Sequence, residues 1–243
     1  MILRRIIKHV QSQDWSAVVI DFVIVVVGVY IGIQAQTWNT ARENREIERQ
    51  YLESLHDRVS IMIEDNKSRV EANRDRLAML REVAENLETN GENMHLEMRH
   101  CDAIASSHIY VGRISVPPAI EELISTGRLQ LIRNSEVRLA IVSYSQSIEG
   151  YRQLNTDIQS DRVVLSRLYP CMIRLDLQDD AVAECNFEAM RQSPAFLNDF
   201  ADNSYRHEAY VSSVVVGQRE LRMSLHLELD RELSISHSND LLD

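Results

Sequence analysis

The chain has 243 residues, with 26 Lys and Arg against 37 Asp and Glu, a net charge of −11, and 44% hydrophobic residues. That acidity excludes the basic stripe on which phosphate contacts depend, so no nucleic acid is expected among its partners. Seven glycines and four prolines in this length argue against a β-rich domain and for long helices.

Residues 1–15 carry Arg4, Arg5 and Lys8 among apolar positions, which predicts an amphipathic N-terminal segment. Residues 16–38 then predict a transmembrane helix. From Ala17 to Ala35 only Asp21 and Gln34 are polar. Trp15 and Trp38, the only two tryptophans, are set roughly 34 Å apart by the helical rise, which suits interface anchors at the two edges of a bilayer. A buried core helix would not need that flanking pair. A cleaved signal peptide is disfavoured, because Asp21 breaks the apolar run and no A-x-A site follows before Trp38.

Asp21, Gly28, Gly32 and Ala35 recur at helical spacing and share one face with Ile24, while Val23, Val26, Val27, Tyr30 and Ile33 make up the rest. Gly28 and Gly32 form a small-xxx-small pattern, the spacing that lets two membrane helices approach closely. Asp21 has two readings. It sits at an interface near a helix N-terminus, where an anion is favoured, or it makes a polar contact to a partner helix or lines an ion path. The second requires an oligomer or another membrane protein, because one helix cannot form a path.

The Lys/Arg count on the two sides of the span ties, with Arg4, Arg5 and Lys8 before it and Arg42, Arg45 and Arg49 after it. The early three lack acidic neighbours, whereas the later three alternate with Glu43, Glu46 and Glu48. Residues 40–243 hold 35 acidic and 23 basic residues. The expected orientation is therefore N-terminus in the cytoplasm and C-terminal domain in a periplasm-like space.

Residues 39–233 predict a helical bundle. Leu52, Leu55, Val59 and Met62 form a stripe that continues, after Asn66, through Val70, Asn73, Leu77, Leu80, Ala84 and Leu87. No Pro or Gly interrupts residues 33–90, so the span should run directly into a long helix ending at Asn90-Gly91. Asn66 and Asn73 on this stripe are either buried register-fixing groups or exposed. A second amphipathic piece carries Met94, Met98, Cys101, Ile104 and Ala105 on one side. Residues 108–116 read as irregular or briefly extended, ending at Pro117-Pro118. A short helix from Ala119 to Thr126 should stop at Gly127 in a left-handed cap. Asn134 or Ser135 caps the next helix, whose stripe from Val137 through Ile141, Tyr144, Ile148, Tyr151, Leu154, Ile158 and Leu165 to Leu168 predicts a run to Pro170. Ser193-Pro194 opens the last long helix, with Phe196, Phe200, His207, Tyr210, Val214, Leu221, Leu225 and Leu229 on its stripe. Residues 234–243 read as a flexible tail. The fold class is all-α, a transmembrane helix continuing into a long helix that packs with others in an antiparallel bundle, and the coiled-coil-like period suits packing within or between chains.

The anchor DFVIVVVGVYIGIQAQTWN and the segment EELISTGRLQLIRNSEVRLAIVSY together resemble a proteobacterial family of N-terminally membrane-anchored helical proteins of unknown function. The resemblance rests on Asp21, Phe22, Gly28, Gly32, Gln34, Trp38 and Asn39 in the first segment. In the second it rests on Glu122, Leu123, Gly127, Leu129, Ile132, Asn134 and Arg138. It covers residues 1–60 and 117–150, and departs at Thr40, where such anchors often place an acidic residue. It implies a membrane-anchored helical protein, and it implies no activity; with the span, the expected location is a bacterial inner membrane, crossed once.

Chemistry is hard to find in the sequence. Glu53/His56 and Glu97/His100 have the Glu-x-x-His spacing of carboxylate-bridged metal bundles, but two such pairs are unsurprising by chance at this composition. His95, His100, Cys101 and His108 lack zinc-motif spacing. His207 reads as a hydrogen-bonded core residue. No phosphate loop or nucleophile elbow occurs. No metal, cofactor or catalytic residue is expected. Of three cysteines, Cys171 and Cys185 flank the loop between the last helices and are the expected disulfide if the domain is exported, with Cys101 as a buried thiol or alternative partner. The sequence therefore points to an interaction or scaffold protein. Its expected partners are membrane lipid and, through the span, a second copy or another membrane protein. The alternatives are a ligand-binding sensor signalling through its membrane helix and, third, an enzyme.

Overall fold

The computed structural model describes residues 15–89, 95–175 and 183–236, and its fold is all-α. In chain order come α1 (Trp15–Glu88), α2 (Met98–Ala105), α3 (Pro118–Ser125), a 3₁₀ turn (Arg128–Leu131), α4 (Ser135–Ser160), α5 (Leu165–Leu168), strands β1 (Ile173–Leu175) and β2 (Ala183–Cys185), α6 (Phe187–Arg191), α7 (Pro194–Ala209), a π-helical segment (Tyr210–Val216) and α8 (Gly217–Leu233). Contacts divide the chain into Met1–Gln50 and Tyr51–Asp243. The expected segment 1–15, apart from Trp15, and residues 237–243 of the expected tail lie outside the described residues, as do Met94 and the Asn90-Gly91 helix end.

The first unit holds α1 up to Gln50, and from 19 to 38 every side chain is exposed. In the second unit the core forms three successive layers along α1. Leu52, Leu55 and Val59 pack with Ile120 and Leu123 of α3, Val137, Ile141, Tyr144 and Ile148 of α4, and Leu225 and Leu229 of α8. Val70 and Leu77 pack with Ile158 and with Tyr210, Val211, Val214 and Val215 of the π segment. Leu80, Val83 and Leu87 pack with Cys101 and Ile104 of α2, Leu165, Ile173, Met190, Phe196 and Phe200. The 3.5-residue stripe read along α1 is therefore the inner face of the bundle, and Asn66 and Asn73 are buried with it.

Local chemistry sets most boundaries. Gly127 follows α3 at φ 69, where a side chain would be strained. Asn134 accepts from the Glu136 amide to open α4, and Ser193 accepts from the Phe196 amide ahead of Pro194 to open α7. The expected run of α4 to Pro170 is corrected: the helix ends at Ser160. Buried Asn203 of α7 takes the backbone of Val163 instead, accepting from its amide at 3.0 Å and donating to its carbonyl at 2.7 Å. This side chain replaces the helical bonds of the 161–164 link, and the leftover apolar residues form α5.

The strands form an antiparallel hairpin pairing Ile173 with Cys185, and this overturns the expected disulfide. Cys185 joins Cys101, with Cα atoms 5.6 Å apart across a separation of 84 residues, while Cys171 is a free, exposed thiol. Ile173 and Cys185 stand opposite in the ladder and so project to one side, where both pack into the core layer that contains Cys101. Cys171 lies before the ladder and faces outward.

Between α7 and α8 the helix widens into a π segment over Tyr210–Val216. The wider turn buries Tyr210, Val211, Val214 and Val215 together, a broader face than an α-helical stripe supplies. Just beyond it, a Cβ at Gly217 would collide with the Tyr151 ring, so α8 crosses α4 closely at a residue without a side chain.

Candidate functional site

Two features carry functional content. The first is the exposed stretch of α1. Its most apolar eighteen-residue window has a mean hydropathy of 2.0 and no part of it is buried by the protein. Phe22, Val25 and Tyr30 are each more than 60% exposed. Twenty residues from Val19 to Trp38 span about 30 Å, the thickness of a bilayer's hydrocarbon core. Asp21, Gly28, Gly32 and Ala35 lie on one face of this helix, and a Cβ added at Gly28 or Gly32 would meet nothing within 4 Å. Among the described residues, nothing packs against either glycine. The Thr37 hydroxyl donates to the Ile33 carbonyl at 2.8 Å, so the helix satisfies the first hydroxyl after the run. Trp38 is exposed and heads a face shared with Arg42, Arg45 and Arg49, which suits an interface where an indole and cations meet lipid phosphates. Trp15 opens α1, and its side chain lies outside the described residues.

The second is a buried polar cluster between α1 and α8. His56, His226 and Asp230 are 8%, 6% and 8% exposed. His56 Nε2 lies 2.9 Å from Asp230 Oδ1, and His226 Nδ1 lies 3.1 Å from Asp230 Oδ2. The two imidazoles are 4.6 Å apart between centroids. His226 Nε2 is 2.8 Å from Ser60 Oγ, and the Ser60 hydroxyl also reaches the His56 carbonyl at 2.8 Å. The cluster is held by its neighbours in sequence: Leu55 and Val59 beside His56, and Leu225 and Leu229 beside His226 and Asp230, are all buried in one core layer.

Ser60, His226 and Asp230 reproduce the connectivity of a nucleophile, base and orienting acid. The setting does not suit acyl transfer. Ser60 lies inside α1, where the backbone amides are committed to the helix and cannot form an oxyanion hole. The carboxylate is shared with a second imidazole rather than dedicated to one. What the cluster offers is two imidazole nitrogens and a carboxylate converging from two helices.

The middle layer holds a different histidine. His207 is fully buried, stacks on Tyr110 at 5.8 Å and has no well-formed hydrogen bond at either ring nitrogen. Burial, with the Arg76 charge behind it, lowers its pKa to about 4, the Ser107 backbone offsetting a part. Burial likewise pushes Tyr210 up to about 12. The expectation of a core residue is met, with the Ser107 backbone as its polar neighbour.

The other residues singled out in the sequence separate. Glu53 is exposed while His56 is buried and turned to Asp230. His100 accepts at Nδ1 from the Glu97 amide at 2.8 Å and donates from Nε2 to Glu82 Oε2 at 2.9 Å, which makes it a helix-capping group tied to α1. Cys101 is consumed by the disulfide, and His95 is exposed. His226 and Asp230 were missed. They sit at i and i+4, each one residue after a leucine of the α8 stripe, and that spacing beside a buried stripe was the available signal.

Comparison with protein-family models, with curated proteins and with solved structures finds no match to this chain.

Proposed function

We propose that this protein is a membrane-anchored interaction protein. Residues 16–38 cross a bilayer once, and the helical domain acts as an oligomeric scaffold or as an accessory subunit of a membrane complex. The observation that carries the reading is the Asp21, Gly28, Gly32 and Ala35 face, apolar around it, with no use for its glycines inside the chain. An exposed apolar surface of this length needs a cover, and lipid plus a second helix supply it. The Cys101–Cys185 bridge supports an exported domain, because disulfides persist in oxidising compartments. The placement is therefore the bacterial inner membrane with a periplasmic C-terminal domain, the orientation that the unpaired basic residues Arg4, Arg5 and Lys8 also favour.

Gly28→Ile and Gly32→Ile test the reading. Both add bulk into open space and keep the helix apolar, so the isolated chain is unaffected. Association in detergent or bilayers, measured by energy transfer between labelled copies or by co-purification with a membrane partner, should weaken by about 1–2 kcal/mol or more. Val27→Ile, on the opposite face, should change nothing. Equal behaviour of all three variants removes the glycine face from the account.

A further inference from the structure

We propose that His56, His226 and Asp230 bind a single divalent transition-metal ion of the zinc class. Two imidazole nitrogens and one carboxylate oxygen are a donor set that such ions favour, and three protein ligands leave room for a fourth donor. The donor atoms lie within 4.8 Å of one another. A four-coordinate ion with bonds of about 2.0–2.1 Å sets its ligands roughly 3.0–3.5 Å apart. His56 lies 2.9 Å from Asp230 Oδ1 and His226 lies 3.1 Å from Asp230 Oδ2, each close to that spacing, so whichever oxygen binds the ion has one imidazole already in place. The remaining edges are no longer than 4.8 Å, so they close with side-chain movements of roughly 1–2 Å at most, within reach of side-chain torsions.

The surroundings of the two rings are a second, independent observation. A metal-bound imidazole needs its other nitrogen held by a hydrogen-bond partner, which fixes the ring's tautomer and direction. His226 presents Nδ1 to the centre, and its Nε2 faces Ser60 Oγ at 2.8 Å, with the serine anchored in turn on the His56 carbonyl. His56 presents Nε2 to the centre, and its Nδ1 faces Asp57 Oδ1 at 3.5 Å. Each ring thus turns one nitrogen inward and the other to a polar neighbour. The ligands come from helices rather than loops: His226 and Asp230 share one face of α8, and His56 meets them from α1. An ion here joins the first and last helices of the domain, at residues 174 apart in sequence. This inference does not rest on the membrane reading.

The test uses the full chain in mild detergent, stripped with chelator, in a Cys171→Ser background so that the exposed thiol cannot bind metal. Zn²⁺ is titrated by calorimetry, and Co²⁺ by its visible absorption, which reports coordination geometry. The expected result is one equivalent of either ion, with Zn²⁺ displacing Co²⁺, and affinity at least about 100-fold weaker in Asp230→Asn and His226→Gln. Saturating Zn²⁺ should also raise the melting temperature of the parent and not of the variants. If a variant fails to fold, the imidazole ¹⁵N resonances of the parent decide, since His56 and His226 must shift on adding Zn²⁺. No saturable uptake, uptake unchanged in both variants, or shifts confined to other histidines would each overturn the proposal.

Discussion

The helix α1 has two segments with opposite surfaces, and the contrast between them explains most of the molecule. From 19 to 38 it is apolar around nearly its whole circumference and buries nothing. From 51 to 88 its apolar residues are confined to a stripe, and Leu55, Val59, Leu80 and Val83 on that stripe are fully buried. Backbone geometry is the same in both. What differs is who supplies the cover. In the second segment the chain's own helices do so, and charged side chains face outward. In the first the cover must come from outside, which is the pattern of a helix that crosses lipid. The glycines follow the same division. Gly217 is tight against Tyr151 inside the domain, whereas Gly28 and Gly32 have open space around them.

The largest effect should come from the covalent tie within the covered region. Replacing Cys101 and Cys185 together by serine removes a cross-link that closes a long loop, and the loop-entropy model gives it on the order of 4–5 kcal/mol. Denaturant unfolding of the domain should show a loss of that order, and alkylation of the unreduced parent protein should label Cys171 alone. Labelling of Cys101 or Cys185 instead would contradict the pairing.

Next comes a matched pair of truncations. Leu55→Ala creates a cavity at a fully buried position and should cost about 2–5 kcal/mol of domain stability. Val25→Ala removes apolar surface of a similar kind from the exposed segment and should leave the domain's unfolding midpoint unchanged. If the two behaved alike, the two segments would not be energetically separate.

The third effect depends on pH. His207 has its pKa depressed to about 4 in the folded state, against about 6.5 in an unfolded chain. Above pH 6.5 both states are neutral at this residue and nothing is lost. As pH falls below 6.5 the unfolded state takes up a proton that the folded state refuses, so stability declines until pH reaches about 4. Linkage sets the size on the order of 3 kcal/mol. His207→Phe keeps an aromatic ring against Tyr110 and should flatten the stability profile between pH 6.5 and 4; an unchanged slope would remove this assignment.

Much of this was legible in the sequence, for physical reasons that can be located. The α1 stripe, the Gly127 cap and the Asn134 and Ser193 caps were readable because each is a local rule, a period or a single side chain bonding its own backbone. The end of α4 was not, because Asn203, forty residues from Val163, captures that residue's backbone. The hairpin was not, because three-residue strands carry no usable alternation, and with it went the identity of the disulfide. The His56, His226 and Asp230 cluster joins residues far apart in the chain, and only the α8 half of it left a mark in sequence.

The central claim, that the exposed segment is covered through the Asp21, Gly28 and Gly32 face, is tested most directly by cysteine scanning. Single cysteines are placed at each position from 20 to 36 in a chain whose native cysteines are replaced, and crosslinks are read in native membranes. The account predicts crosslinking that rises and falls with a period near 3.5 residues and peaks at 21, 28 and 32. The size of the crosslinked product tells a second copy from a different membrane protein. Uniform or absent crosslinking, or a peak at 23, 27 and 30, would contradict it.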